Sequence, residues 1–230
     1  MSEPAGSPRT PLGIFGGTFD PVHLGHLRLA EEAADRLGLR SVRWIPAGQP
    51  AHRQLENKPQ PACATHRLEM VRRAIADNAR FALDPAEVEA ARPSYTVNTL
   101  ERLRQPGECG AQRPLVLLLG ADAFAGLPDW HRWDALLGLA HIAVAHRPGF
   151  TMDADTLPPA LAAIYEKRYS ASPAVLAESP AGRIVTFAMT PLTISASQIR
   201  ALLAKRLSVR YLLPDAVIAY IQSALLYSPQ

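Results

Sequence analysis

Short runs of consecutive apolar residues alternate along this chain with segments whose apolar positions recur at helical spacing, a pattern few architectures satisfy. Leu12–Phe15 is the first run, broken by Gly16 and Gly17, and apolar residues then return through Leu24, Leu27, Ala30, Ala33, Ala34 and Leu37. These read as strand, tight turn and helix. Further strands are expected at Val42–Ile45, Phe81–Leu83, Leu115–Leu119, Ile142–Ala145 and Arg183–Met189. Helices are expected at Thr65–Asp77 capped by Thr65, at Val97–Leu103, Trp133–Leu139 and Ser195–Lys205, and at Pro214–Leu226 with Pro214 in its first turn. Continuous apolar strands between amphipathic helices imply a parallel sheet covered on both faces, the doubly wound α/β class, here with a C-terminal helical portion. Ligands in that class sit at the carboxyl ends of the strands, so motifs just after strands carry extra weight.

With 48% hydrophobic residues among 230, the chain can bury a sizeable core. One domain is expected over 12–230, after a flexible Pro, Ser and Gly rich tail over 1–11. Pro148 to Gly182 breaks the rhythm with five prolines around one helical piece, Leu161–Tyr169, and reads as a surface excursion without its own core. Twenty-four basic against 21 acidic side chains leave a net charge of only +3 and no basic block, which argues against nucleic-acid or membrane partners. No apolar run reaches the roughly 18 residues of a membrane span. Cys63 and Cys109 are too few and too far apart for a disulfide framework or a thiolate metal site, and read as buried or idle thiols in a reducing, cytoplasmic setting.

The densest chemical signal is Gly13–His26, G-I-F-G-G-T-F-D-P-V-H-L-G-H, at the first strand-to-helix junction. Gly16 and Gly17 permit positive φ and close backbone approach, and exposed N–H groups at such a turn attract phosphate. The spacing is neither the dinucleotide fingerprint nor the P-loop. His23 and His26, three apart, share one face of the first helical turn, with Gly25 keeping that face uncrowded. One such histidine is more often structural; a pair after a glycine turn favours an anion site, and no third ligand completes a metal site. Near the other end Ile194–Arg200 reads I-S-A-S-Q-I-R. Ser195 with Gln198 is a capping box, which explains neither Ser197 nor a cation at Arg200 close to a positive helix end. A bound anion explains both.

The stretch Gly16–His26 together with Ile194–Arg200 resembles the two signatures of the nucleotidyltransferase α/β phosphodiesterase superfamily, and within it the bacterial nicotinate-nucleotide adenylyltransferases. Support comes from P-A-G-Q-P-A-H-R (Pro46–Arg53), P-S-Y-T (Pro93–Thr96), L-G-A-D-A-F (Leu119–Phe124), L-P-D-W-H-R-W (Leu127–Trp133) and R-P-G (Arg147–Gly149), in family order over nearly the whole chain. The resemblance implies a Rossmann-like nucleotidyltransferase fold and adenylyl transfer from ATP to nicotinic acid mononucleotide, with Mg²⁺ carried mainly on the ATP phosphates. It implies catalytic roles for His23, His26 and Arg200. Phe15, Gly16, Gly17, Thr18, Ser195, Ser197, His52, Arg53, Gly120, Asp122 and Arg147 would bind ATP and its phosphates. Tyr95, Thr96, Trp130 and His131 would hold the nicotinate mononucleotide, although Trp130 and Trp133 at their spacing are as readily core residues. Where His131 stands the family often has an aromatic. A transferase for another phosphorylated acceptor, or a non-catalytic nucleotide-binding module, is the alternative to this reading.

Overall fold

A computed structural model describes residues 10–50, 61–90, 92–149 and 152–227. The expected tail lies almost wholly outside these residues, and so do His52 and Arg53. Among the described residues a six-stranded sheet runs in the order β4-β2-β1-β6-β7-β8. Its strands are β1 (Leu12–Gly17), β2 (Ser41–Pro46), β4 (Phe81–Leu83), β6 (Leu115–Gly120), β7 (His141–His146) and β8 (Ile184–Ala188). The registered pairs β1–β6, β6–β7 and β7–β8 are parallel. Two-residue strands β3 (Gln49–Pro50) and β5 (Pro93–Ser94) pair separately, also in parallel. The helices are α1 (Leu24–Leu37), α2 (Ala64–Ile75), α3 (Ala86–Glu89), α4 (Thr96–Leu103), α5 (Ala121–Ala125), α6 (Leu136–Leu139), α7 (Pro159–Arg168), α8 (Ala196–Ala204) and α9 (Asp215–Ser223). This is the doubly wound α/β class that the alternation predicts, with α8 and α9 as the C-terminal helical portion.

The chain divides into two compact units. The first comprises Met1–Ile14, Glu32–Val42 and Thr96–Met189. Its core is β6 and β7, buried from Leu115 to Leu119 and from His141 to Ala145, with Val97, Leu100 and Leu103 of α4 packed in as well. Each leucine, isoleucine and valine among them contributes about 1.5–3 kcal/mol by leaving water. Gly13 is required by packing: a Cβ there would lie 2.9 Å from Leu39 Cδ1 and 3.1 Å from Val42 Cγ2. Arg104 fastens loops that precede strands, donating to the carbonyls of Arg113 (2.6 Å) and Pro180 (2.8 Å). His141, fully buried, bonds to the Ser179 carbonyl through Nε2 (2.8 Å) and accepts the Arg183 N–H on Nδ1 (3.0 Å). That pairing selects the neutral ring, and burial lowers its pKa. The 148–182 segment, expected to lack a core, buries Leu161, Tyr165 and Leu176. A cavity of about 370 Å³ is lined there by His146, Asp153, Tyr165, Tyr169 and Thr186 among others, none of them an expected site residue.

The second unit comprises Phe15–Glu31, Arg43–Tyr95 and Thr190–Gln230. Two local expectations need correction there. Helix α2 begins at Ala64 with Cys63 as its N-cap, so Thr65 is inside the first turn and caps nothing; its hydroxyl lies 3.0 Å from the exposed Cys63 thiol. The chain before α2 is fixed instead by Ala62, whose N–H is bound by Asp20 and whose carbonyl is bound by Arg67. Pro214 is the N-cap of α9, one position earlier than expected, where its missing N–H costs nothing.

Candidate active site

Strand β1 ends in the glycine pair, and the backbone then turns through Thr18–Val22 into α1. Neither Gly16 nor Gly17 adopts the positive φ that the sequence suggests; the left-handed residue is Phe19, at φ 50°. Close approach explains Gly17, since a Cβ there would stand 2.9 Å from the Phe19 ring. Phe19 folds back into an aromatic cluster with Phe15 (centroids 5.5 Å apart) and Trp44 (5.3 Å). The side chain of Phe15, an expected ATP contact, is therefore buried in this cluster. Gly16 is exposed and Thr18 half-buried.

The cluster presents its edge to the histidines. His26 packs against Phe19 at 5.1 Å, and the His23 and His26 rings stack at 3.7 Å with 24° between their planes. The backbone N–H of His23 donates to His26 Nδ1 (3.2 Å), which leaves the His26 proton on Nε2. Burial lowers the His23 pKa to about 4, and burial followed by the neighbouring His23 lowers that of His26. Both rings are thus neutral near pH 7. His23 Nδ1 is buried with no hydrogen-bond partner among the described residues. Gly25 makes room for this ring, because a Cβ at position 25 would lie 3.1 Å from His23 Nδ1. That same Cβ would lie 3.8 Å from the carbonyl of Ile194, at the start of the late motif.

Ser195 caps α8 as expected, accepting the Gln198 N–H at 3.1 Å. Arg200, one helical turn on, donates through Nη2 to Ser197 Oγ (3.2 Å) and through Nη1 to the Asp20 carbonyl (2.6 Å). The two motifs are therefore brought together, with Arg200 held on the turn that carries both histidines. Asp20 was not singled out by the sequence. Its carboxylate, 2% exposed, receives the Ala62 N–H and stands 3.5 Å from Arg200 Nη1. Arg67 was missed as well. Its guanidinium, 1% exposed, donates to the carbonyls of Thr18 (2.8 Å), Gly48 (2.8 Å) and Ala62 (2.9 Å), locking the glycine turn to the loop after β2. One signal pointed to it: Arg67 lies one turn before Val71 on the buried face of an amphipathic helix, where a cation needs a reason.

Tyr95, half-buried, belongs to this second unit. The other expected residues that are described belong to the first. Gly120 ends β6 and caps α5, with Asp122 exposed in its first turn, and Arg147 is exposed directly after the adjacent strand β7. Both follow carboxyl ends of strands, the ligand side of this class. Thr96 opens α4, Trp130 is half-buried and His131 exposed. Trp133 is half-buried too, at the start of a 3-10 turn leading into α6, where a single helix was expected.

A glycine turn, a stacked histidine pair and an arginine from a late helix, set on a parallel sheet, define a nucleotidyltransferase, and the cytidylyltransferase-like family model matches residues 14–202. A relative from Dechloromonas aromatica, named "Probable nicotinate-nucleotide adenylyltransferase", is 63% identical over 94% of this chain and 97% of its own length. A Pseudomonas aeruginosa relative of the same name is 48% identical over 94% and 96%. Among solved structures, Plasmodium falciparum nicotinic acid mononucleotide adenylyltransferase complexed with NaAD superposes with a TM-score of 0.69 at 16% identity, covering 95% of this chain and 97% of that one. The chain belongs to the nicotinate-nucleotide adenylyltransferases.

Proposed function

We propose that the protein transfers the adenylyl group of ATP to nicotinic acid mononucleotide, releasing pyrophosphate and forming nicotinic acid adenine dinucleotide in NAD biosynthesis. A phosphate oxygen of the mononucleotide forms a bond to the α-phosphorus of ATP. The bond from that phosphorus to the bridging oxygen breaks, and its electron pair leaves with pyrophosphate. A phosphate monoester is already ionised near neutral pH, so no group need act as a base. Catalysis is then orientation plus stabilisation of charge on the leaving group.

His23, His26 and Arg200 take the polyphosphate, assisted by the backbone of Gly16, Gly17 and Thr18 and by the Ser195 and Ser197 hydroxyls. A neutral His26 with its proton on Nε2 is a donor as it stands, and a polyanion beside His23 opposes the effect of burial, drawing a proton onto that ring. Gly120 and Asp122 bind the ATP ribose and Arg147 borders the adenine. Tyr95, Thr96, Trp130 and His131 hold the acceptor, and His52 and Arg53 add charge at the phosphates. Among the described residues no three His, Cys, Asp or Glu side chains stand together to hold a metal. Magnesium would come bound to the nucleotide, where it would neutralise phosphate charge. The unpaired Cys63 and Cys109 suit the cytoplasm. No described helix is long and apolar enough to cross a membrane.

The observation that carries this reading is the 2.6 Å bond from Arg200 to Asp20, 180 positions apart, in the turn that bears both histidines. An acceptor panel tests it. With ATP and Mg²⁺, pyrophosphate release is expected with nicotinic acid mononucleotide and more slowly with the nicotinamide mononucleotide. Equal turnover of both refutes the acceptor specificity; turnover only with another phosphorylated acceptor refutes the assignment.

A further inference from the structure

Tyr227 lies beyond the end of α9, at φ 60°, a conformation that a tyrosine rarely adopts. Its hydroxyl donates to Asp20 Oδ1 at 2.7 Å. Oδ1 also receives the Ala62 N–H at 3.1 Å, while Oδ2 stands 3.5 Å from Arg200 Nη1, whose short bond goes to the Asp20 carbonyl instead. We propose that the Tyr227 hydroxyl is a positioning group, which acts through Asp20 to hold the Arg200 guanidinium in the attitude that meets the transferring phosphates. The inference rests on the reading of Arg200 as a phosphate-binding residue.

The physical argument concerns competition for one cation. A carboxylate that is 2% exposed draws strongly on any donor near it. With the phenol on Oδ1, part of that demand is met on the side away from Arg200. The guanidinium then keeps its bond to the main-chain carbonyl and does not close onto Oδ2. Without the phenol, Arg200 is drawn the remaining distance into a carboxylate pair, and both its position and its effective charge toward phosphate are diminished. Burial and the charge on Asp20 push the Tyr227 pKa far up, so the hydroxyl stays a donor throughout the working pH range.

The test is a double-mutant cycle on the full chain, with ATP, Mg²⁺ and nicotinic acid mononucleotide as substrates and pyrophosphate release as the readout. Tyr227→Phe is expected to lower kcat by about tenfold with the acceptor KM little changed, and to lower the thermal midpoint somewhat because a buried carboxylate loses a donor. In an Arg200→Ala background the same change is expected to have no further effect. Tyr220→Phe, which removes the α9 phenol bonded to His66 of α2, is the control and is expected to keep full turnover. A chain ending at Leu226 serves as second variant should Tyr227→Phe fold poorly, and the same pattern is expected. An equal fall in both backgrounds, or no fall at all, overturns the proposal while leaving Arg200 in place. Undiminished turnover by Arg200→Ala overturns the reading of Arg200 and this proposal with it.

Discussion

Acid destabilises this protein through His23 in a calculable way. The ring is 6% exposed, its Nδ1 lacks a partner among the described residues, and its pKa falls from 6.5 to about 4 on folding. The unfolded chain therefore binds more protons between those values. Stability rises with pH across that window, is complete above about 6.5 and is lost as pH falls toward 4. Linkage gives a loss of roughly 2 kcal/mol by about pH 5, and on the order of 3 kcal/mol once the folded ring itself titrates. The variant His23→Gln lacks this ionisation. Urea unfolding of both proteins at about pH 7.5 and about pH 5 reads the effect, since His141, lowered by burial, contributes equally to both and cancels in the difference, while the part of the His26 lowering that His23 causes is lost with His23 and moves the gap in the same direction. The stability gap between wild type and variant is expected to move by roughly 2 kcal/mol against the wild type at the lower pH. Parallel pH profiles for the two proteins refute the reasoning.

Arg67→Met leaves three carbonyls without their guanidinium donor and is expected to cost about 3 kcal/mol or more by thermal unfolding; a loss under about 1 kcal/mol contradicts the clamp. Gly25→Ala puts a Cβ 3.1 Å from His23 Nδ1, so the ring must shift and turnover is expected to fall at least about tenfold; unchanged turnover shows that the ring has room to move. Arg206→Gly relieves a left-handed backbone (φ 56°) just past α8, and a gain of about 1 kcal/mol without change in kcat is expected; a loss of stability shows that the arginine side chain outweighs the strain.

What the sequence could reveal follows from the range of the forces involved. Strands β1, β2, β6 and β7 and helix α1 announce themselves because burial on a parallel sheet demands unbroken apolar runs and an amphipathic partner. The two-residue strands β3 and β5 and the four-residue helix α3 are too short to impose a period, and none was expected. Helix α9 stops at Ser223, short of the expected Leu226, because the last residues leave the helical path and Tyr227 returns to Asp20. The histidines, Ser195, Ser197 and Arg200 were legible as chemistry placed at helix starts. Asp20, Arg67 and Tyr227 were not, since each acts through partners distant in sequence and no local spacing encodes such a bond. The positive φ expected at the glycine pair is taken by Phe19 instead, and Gly17 is needed for close contact with the Phe19 ring.

Cooperation of the early histidine turn with the late arginine in moving an adenylyl group is tested by kcat for pyrophosphate release, at saturating ATP and nicotinic acid mononucleotide, in Arg200→Ala relative to wild type. A fall of about 10²–10³ is predicted, the range for losing one preorganised donor to developing charge. A kcat within about threefold of wild type contradicts it.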